Sequence, residues 1–322
     1  MKILIAPLNW GLGHASRCVP LVHRLMSEGH EVILGGDGDS LTLLRRHFPK
    51  QRYVYLAPLN LRYSAGRRQV WAMVKALPKI IHWACQDHAM LAAVLREEPI
   101  DQVISDNRFG LYNRHTKCVY MTHQLHIMLP NGWRWLEPLV ARMHARIYTR
   151  YNKVWVPDYK EPANSLAGEL SHPSNVQCPM SNIQYIGPLS RFIIPSFQRE
   201  GEEGSYDVVV VLSGLEPQRT LLEKEILARY QDTDDKVLIV QGLLNRPNTR
   251  IKRANMTIVP YMNDEELVPA LLGAKHIIAR SGYSTIMDFA ALGILKKAEL
   301  IPTSGQPEQE YLATWIEQKA LF

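Results

Sequence analysis

The feature that most constrains this chain is an alternation that runs through it twice. Short runs rich in Val, Ile and Leu give way to a glycine or polar turn and then to residues with helical spacing. KILIAP (2–7) reads as a strand, HASRCVPLVHRLMSEG (14–29) as a helix and HEVILGG (30–36) as a second strand. Within that helix Val19, Val22 and Leu25 recur at helical spacing, Leu21 and Met26 widen the stripe, and Gly29 supplies a stop. DQVISD (101–106) and KCVYMTH (117–123) are further buried-type strands that end in polar residues. IQYIGPLSRFIIPSFQREGEEGSYD (183–207) breaks the rhythm with prolines, glycines and a charge run. The alternation then restarts with strands in 206–214, 235–242, 256–262 and 275–282 and helices over 216–230 and 283–292. This predicts an α/β fold of two doubly wound, Rossmann-like units facing a cleft, with functional loops at the carboxyl ends of parallel strands. The expected boundaries are 1–188 for the first unit, 189–205 for a linker and 206–322 for the second.

Composition narrows the class. At 322 residues there is room for two units, and 46% hydrophobic with 21% charged residues suits a globular chain. No run approaches the roughly 18 to 20 apolar residues that span a bilayer. Ile3 to Leu8 is too short for a signal-peptide core. Cys18, Cys85, Cys118 and Cys178 form no CxxC pair, which favours a reducing, cytoplasmic setting over structural zinc or disulfides. The net charge of +6 divides into +9 over residues 1–190 and −3 over 191–322. A basic first unit is expected to face something anionic.

Two turns carry the chemistry. In HIIARSGYSTIMDFAALG a strand ends at Arg280-Ser281-Gly282 and a helix begins near Tyr283. Small residues there let a phosphate approach free backbone N–H groups and the positive end of the helix. Asp288, two turns on, is placed to hold ribose hydroxyls, or else is a solvated helix residue. Ser213-Gly214 sits at the first turn of the second unit, another phosphate contact. IPTSGQPEQEYLA gathers Gly305, Gln306, Glu308, Gln309 and Glu310 at a loop and helix start. They suit sugar hydroxyls or an ordinary capped helix. In the first unit GLGH (11–14) lacks the third glycine of a dinucleotide fingerprint, which disfavours a dehydrogenase.

The order Ser-Gly-x-x-Thr-x-x-Asp, then Ile-Pro and Gly-Gln-x-Glu-Gln, resembles the donor half of GT-B glycosyltransferases. Family 28, the peptidoglycan N-acetylglucosaminyltransferase and monogalactosyldiacylglycerol synthase group, is the most similar. The resemblance implies that Ser281, Gly282 and Thr285 meet the diphosphate of a UDP-sugar; Arg280, at the same strand end, and the Ser213-Gly214 turn are expected in the same nucleotide-sugar site. It implies that Asp288 holds the ribose, that Gln309 and Glu310 hold the donor sugar, and that Tyr261 and Met262 underlie the base. On the first unit Gly11, Gly13 and His123 fall on the acceptor side. Tyr185 to Pro188 resembles the entry to the hinge. The chain reads as lacking the helices with which this family closes back on its first unit.

The reaction expected is inverting, metal-independent transfer, with no cofactor beyond the donor substrate. His14 is the expected base, and Asp106 either a second base or the partner that orients it. Basic and aromatic residues alternate in 62–95 (Arg67, Arg68, Trp71, Lys75, Lys79, Trp83) and in 133–153 (Arg134, Arg142, Arg146, Arg150). They suit either core-packed helices or docking on anionic lipid. A lipid-linked or glycan acceptor and peripheral association with the inner face of the plasma membrane are the matching expectations. Nucleic acid is not an expected partner. A nucleotide-sugar 2-epimerase and a non-catalytic nucleotide- or glycan-binding protein remain the alternatives.

Overall fold

The computed structural model describes residues 1–59, 69–174, 182–193 and 206–320, with backbone only at 69–74, 193 and 320. Arg67, Arg68, Cys178 and residues 194–205 of the expected linker lie outside it, as do the side chains of Trp71, Met73 and Val74. The first unit holds β1 (Lys2–Pro7), α1 (Gly13–Ser27), β2 (Glu31–Gly36), α2 (Gly38–His47), β3 (Tyr53–Tyr55), α3 (Gln69–Glu97), β4 (Gln102–Asp106), β5 (Lys117–Met121), α4 (Glu137–Tyr148), β6 (Lys153–Val156) and β7 (Ile183–Tyr185). Its strands pair in parallel in the order β3-β2-β1-β4-β5-β6-β7. Alternate residues of β1 enter opposite cores. Ile3 and Ile5 pack with α1 and α2, whereas Leu4 and Ala6 pack with Leu91 of α3 and Tyr148 of α4. Burial on both faces is why these strands read as unbroken apolar runs.

The second unit holds β8 (Val208–Val211), α5 (Gln218–Tyr230), β9 (Val237–Val240), β10 (Ile251–Arg253), β11 (Met256–Val259), α6 (Asp264–Gly273), β12 (His276–Arg280), α7 (Tyr283–Leu292), β13 (Ala298–Ile301) and α8 (Pro307–Ala320). The sheet order is β10-β11-β9-β8-β12-β13, parallel except for β10. Among the parallel strands of each sheet the order reverses once, between β1 and β4 and between β8 and β12. At such a switch point neighbouring loops diverge and leave a crevice at the carboxyl ends of the strands. Both glycine turns singled out in the sequence leave from these points.

The two units meet along an extended seam. Ser284 Oγ of α7 donates to the Gly13 carbonyl at the start of α1 (2.8 Å). A Cβ on Gly13 would sit 2.9 Å from that hydroxyl, so glycine is what allows the two helix starts to approach. The last helix, α8, reaches the first unit. Leu312 and Ile316 pack with Leu166, Ala167 and Leu170, and Lys319 Nζ donates to the carbonyls of Ala163 and Ser165, both at 2.8 Å.

Candidate functional site

On the first unit the switch point carries a buried charge network. His14 is the second residue of α1, and Asp106 ends β4, the strand next to β1. His14 Nδ1 lies 3.0 Å from Asp106 Oδ1. Arg17, one helical turn after His14, donates through Nε to Asp106 Oδ2 at 2.7 Å and through Nη2 to Oδ1. Its Nη1 lies 3.0 Å from His123 Nδ1. Asp106 and Arg17 are fully buried. Burial would push the Asp106 carboxyl up, but the Arg17 guanidinium and His14 outweigh it and hold the group well below the usual carboxylate range. Asp106 is thus an anion out of reach of solvent, beside a histidine that keeps part of its surface open.

The loop that delivers His14 is fixed from behind. Gly11 takes the left-handed region at φ 75°, which a residue with a Cβ rarely adopts. Asn9 Nδ2 donates to Asp37 (2.9 Å), and Ser40 Oγ donates to the Leu8 carbonyl (3.2 Å). Asp37 also accepts from Arg108, whose guanidinium is fully buried and forks onto Asp87.

Across the seam, the starts of α1 and α7 converge at the Gly13–Ser284 contact. Neither helix has a side-chain cap or an acidic residue in its first turn. Two helix starts thus meet at the seam without a side-chain cap, and the anion beside α1, Asp106, is taken up by Arg17. Arg280, at the end of β12, donates to the carbonyls of Pro302 (3.0 Å) and Gln218 (2.9 Å), and its buried Nε has no hydrogen-bond partner. Among the described residues no carboxylate pairs with it, and burial lowers its pKa. Ser213 is half-buried and Gly214, at φ 99°, is exposed on the neighbouring turn.

Several expected donor contacts are engaged within the protein. Ser281 Oγ donates to the Gln309 carbonyl (2.8 Å) rather than capping α7, whose cap position is Gly282. Gln309 Oε1 accepts from the Thr303 amide (2.9 Å), and Glu310 Oε1 accepts from the Gly305 amide (3.0 Å), so both brace their own loop. Met262 is buried in the core of the second unit, and Tyr261 packs against the first under the Arg46 guanidinium. Thr285 sits in the first turn of α7, partly buried. Asp288 is not a solvated helix residue. It accepts from Ser190 Oγ (2.6 Å) beside Arg191, and burial pushes its carboxyl up to about 6.

Two residues of the site escaped the sequence reading of roles. Arg17 was given no role, although its i, i+3 relation to His14 was a usable signal. Glu308 appeared only as one of a polar cluster, yet it is the member that faces the first unit, with Oε1 2.8 Å from His123 Nε2. His123, expected on the acceptor side, lies buried on the seam and stacks on Tyr283 at 4.3 Å and 11°.

Two facing Rossmann-like units with switch points opening on one crevice make up the GT-B architecture. The chain is similar to several solved structures of that fold. The glycosyltransferase of kitacinnamycin superposes with TM-score 0.59 at 14% identity, over 98% of this chain and 83% of that one. The spinosyn rhamnosyltransferase SpnG complexed with thymidine diphosphate gives 0.59 at 14%, over 97% and 84%. UGT2 of Phytolacca americana, complexed with UDP-2-fluoro-glucose and pterostilbene, gives 0.57 at 14%, over 98% and 83%. In sequence, an uncharacterized glycosyltransferase of Methanosarcina acetivorans is 22% identical over 332 residues, covering 99% of this chain and 84% of that protein. A second from the same organism is 25% identical over 338 residues, covering 98% and 81%. No family model matches the chain.

Proposed function

We propose that this chain is a glycosyltransferase that moves a sugar from a UDP-sugar to a hydroxyl acceptor, with inversion at the anomeric carbon and without a metal ion. The observation that carries the reading is the meeting of two uncapped helix starts at the seam, with the His14–Asp106 pair beside the first of them. The relatives named glycosyltransferase, and neighbours complexed with thymidine diphosphate and with a UDP-sugar, support it.

His14 Nδ1 lies 3.0 Å from both Asp106 Oδ1 and Arg17 Nη2; in this reading Arg17 Nη2 donates to the carboxylate and the Nδ1 proton of His14 goes to it as well, which leaves Nε2 free. Nε2 takes the proton of the acceptor hydroxyl as that oxygen attacks C1 of the donor sugar. The bond from C1 to the β-phosphate oxygen breaks, and its electron pair leaves with the nucleoside diphosphate. The starts of α1 and α7 and the unpaired charge of Arg280 stabilise that developing charge. In this reading Ser213, Gly214, Gly282 and Thr285 line the diphosphate, and Gly11 and Gly13 clear the acceptor path. Asp288, Gln309, Glu310, Tyr261, Met262 and Ser281 act mainly by shaping the walls of the donor site.

The acceptor side carries a surface suited to anionic lipid. Trp135 is 73% exposed, and Leu139 and Met143 stand out one and two turns further on, flanked by exposed Arg134, Arg142 and Arg146. The sole acid of 131–150, Glu137, is occupied by His126 and the Leu129 amide. Among the described residues no helix is long and apolar enough to cross a membrane. An exposed apolar row between arginines supports docking on the cytoplasmic leaflet and a lipid-linked acceptor.

A panel of nucleotides and nucleotide sugars tests the donor site. UDP and UDP-sugars are expected to raise Tm, and NAD is not. Stronger stabilisation by TDP would reassign the nucleotide. Release of UDP that depends on an added hydroxyl acceptor, with no effect of EDTA, is the expected activity. Epimerised sugar formed without acceptor would overturn transfer. Vesicles with phosphatidylglycerol are expected to bind the protein and neutral vesicles are not; equal non-binding would remove the lipid surface.

A further inference from the structure

Glu308 and His123 belong to different units, and the bond between them completes a hydrogen-bonded chain that ends at His14. Glu308 Oε1 lies 2.8 Å from His123 Nε2, and His123 Nδ1 lies 3.0 Å from Arg17 Nη1. Arg17 grips both oxygens of Asp106, and Asp106 Oδ1 lies 3.0 Å from His14 Nδ1. One fact sets the proton on His123: a guanidinium can only donate. His123 Nδ1 must therefore accept from Arg17, so the ring proton sits on Nε2 and points to Glu308. The charges alternate as Glu308 anion, Arg17 cation and Asp106 anion, with the neutral His123 imidazole after the first and the His14 ring after the last. The second unit also holds the face of the His123 ring, through the stacked Tyr283 whose hydroxyl donates to the Pro157 carbonyl at 2.8 Å. Opening of the two units removes Glu308 and Tyr283 from His123 together.

We infer that Glu308 and His123 are positioning residues, whose contact on closure orients Arg17 and through it the Asp106–His14 pair. Closure of the donor half is thereby coupled to readiness of the base in the other half. The kinetic consequence rests on the glycosyl-transfer reading, and the proton arrangement does not. Burial pushes the His123 imidazole below its usual value, in keeping with a neutral ring that Glu308 polarises without charging.

The test is nitrogen NMR of the full chain labelled at histidine, without substrate, on wild type and on Glu308→Ala and Glu308→Gln. Wild type is expected to show His123 with its proton on Nε2 and His14 with its proton on Nδ1. Glu308→Ala is expected to shift the His14 ring resonances although it does not touch that ring. Glu308→Gln, whose amide oxygen still accepts from Nε2, leaves them near wild type. Unmoved His14 resonances in Glu308→Ala, or a His123 proton on Nδ1, would overturn the inference. In turnover Glu308→Ala is expected to lower kcat by up to about 100-fold, the cost of a small misplacement of catalytic groups, with the acceptor KM unchanged. Glu308→Gln is expected to restore most of it. Equal loss in both variants with His14 unmoved would assign Glu308 to direct substrate contact instead. Failure of every donor to react with wild type would sink the transfer reading, while the resonances would still decide the chain.

Discussion

The switch points of the two units use the same backbone device and opposite electrostatics. In the first, after β1 and β4, a buried cation and a buried anion saturate one another, and His14 is the member left partly open. In the second, after β8 and β12, the buried cation Arg280 has backbone carbonyls and, among the described residues, no carboxylate, and α7 starts without a cap. In one half the buried charges are balanced by its own residues, Arg17 against Asp106. The other carries an unbalanced positive field that an anionic ligand would complete. The difference argues that base and donor sites lie on opposite walls of one crevice.

Three substitutions break or sharpen that contrast, in falling order of effect. Arg17→Ala removes the cation from a fully buried carboxylate, and breaking such a pair costs about 3 to 5 kcal/mol. A large fall in urea midpoint is expected, and a midpoint near wild type would mean that Asp106 finds another partner. Asp288→Asn tests the hinge. Its carboxyl, raised to about 6 when folded, is driven to ionise above that pH at a cost on the order of 3 kcal/mol to the native state. The group favours the folded form as pH falls through 6 towards the ordinary carboxylate value, and the asparagine variant does not. The variant is therefore expected to exceed wild type in stability above pH 6, with the gap closing near pH 4. A gap independent of pH would contradict the assignment. Arg280→Ala is the smallest in stability, because no ion pair is lost. Its expected signature is weaker binding of the nucleoside diphosphate by about tenfold, the worth of one charge-assisted contact, read by calorimetry. Loss of stability without loss of affinity would make Arg280 a structural residue and erase the contrast.

Much of the fold was legible because buried parallel strands announce themselves. VVVV, VLIV and HIIAR admit few other readings, and a glycine turn after such a run locates the carboxyl end of a sheet. The pairing of His14 with Asp106 was also readable, since adjacent strands at a switch point place their ends together. What the sequence withheld depends on side-chain direction across the seam. Nothing local distinguishes Glu308 from Gln309 and Glu310, yet a rotation of about 100° per helical residue sends the first to His123 and turns the others back on their own loop. Asp288 looked open because its burial comes from Ser190 and Arg191, almost a hundred residues away. The packing of α8 on 166–170 is likewise a contact between remote segments that no periodicity encodes.

The central claim is that His14 removes the acceptor proton while the other wall holds the nucleotide. Measuring His14→Ala for both turnover and UDP affinity tests it most directly. The account predicts a fall in kcat of about 100-fold to 10,000-fold, the usual worth of a general base, with the UDP dissociation constant unchanged. Turnover close to wild type, or a loss explained by weaker UDP binding, would contradict it.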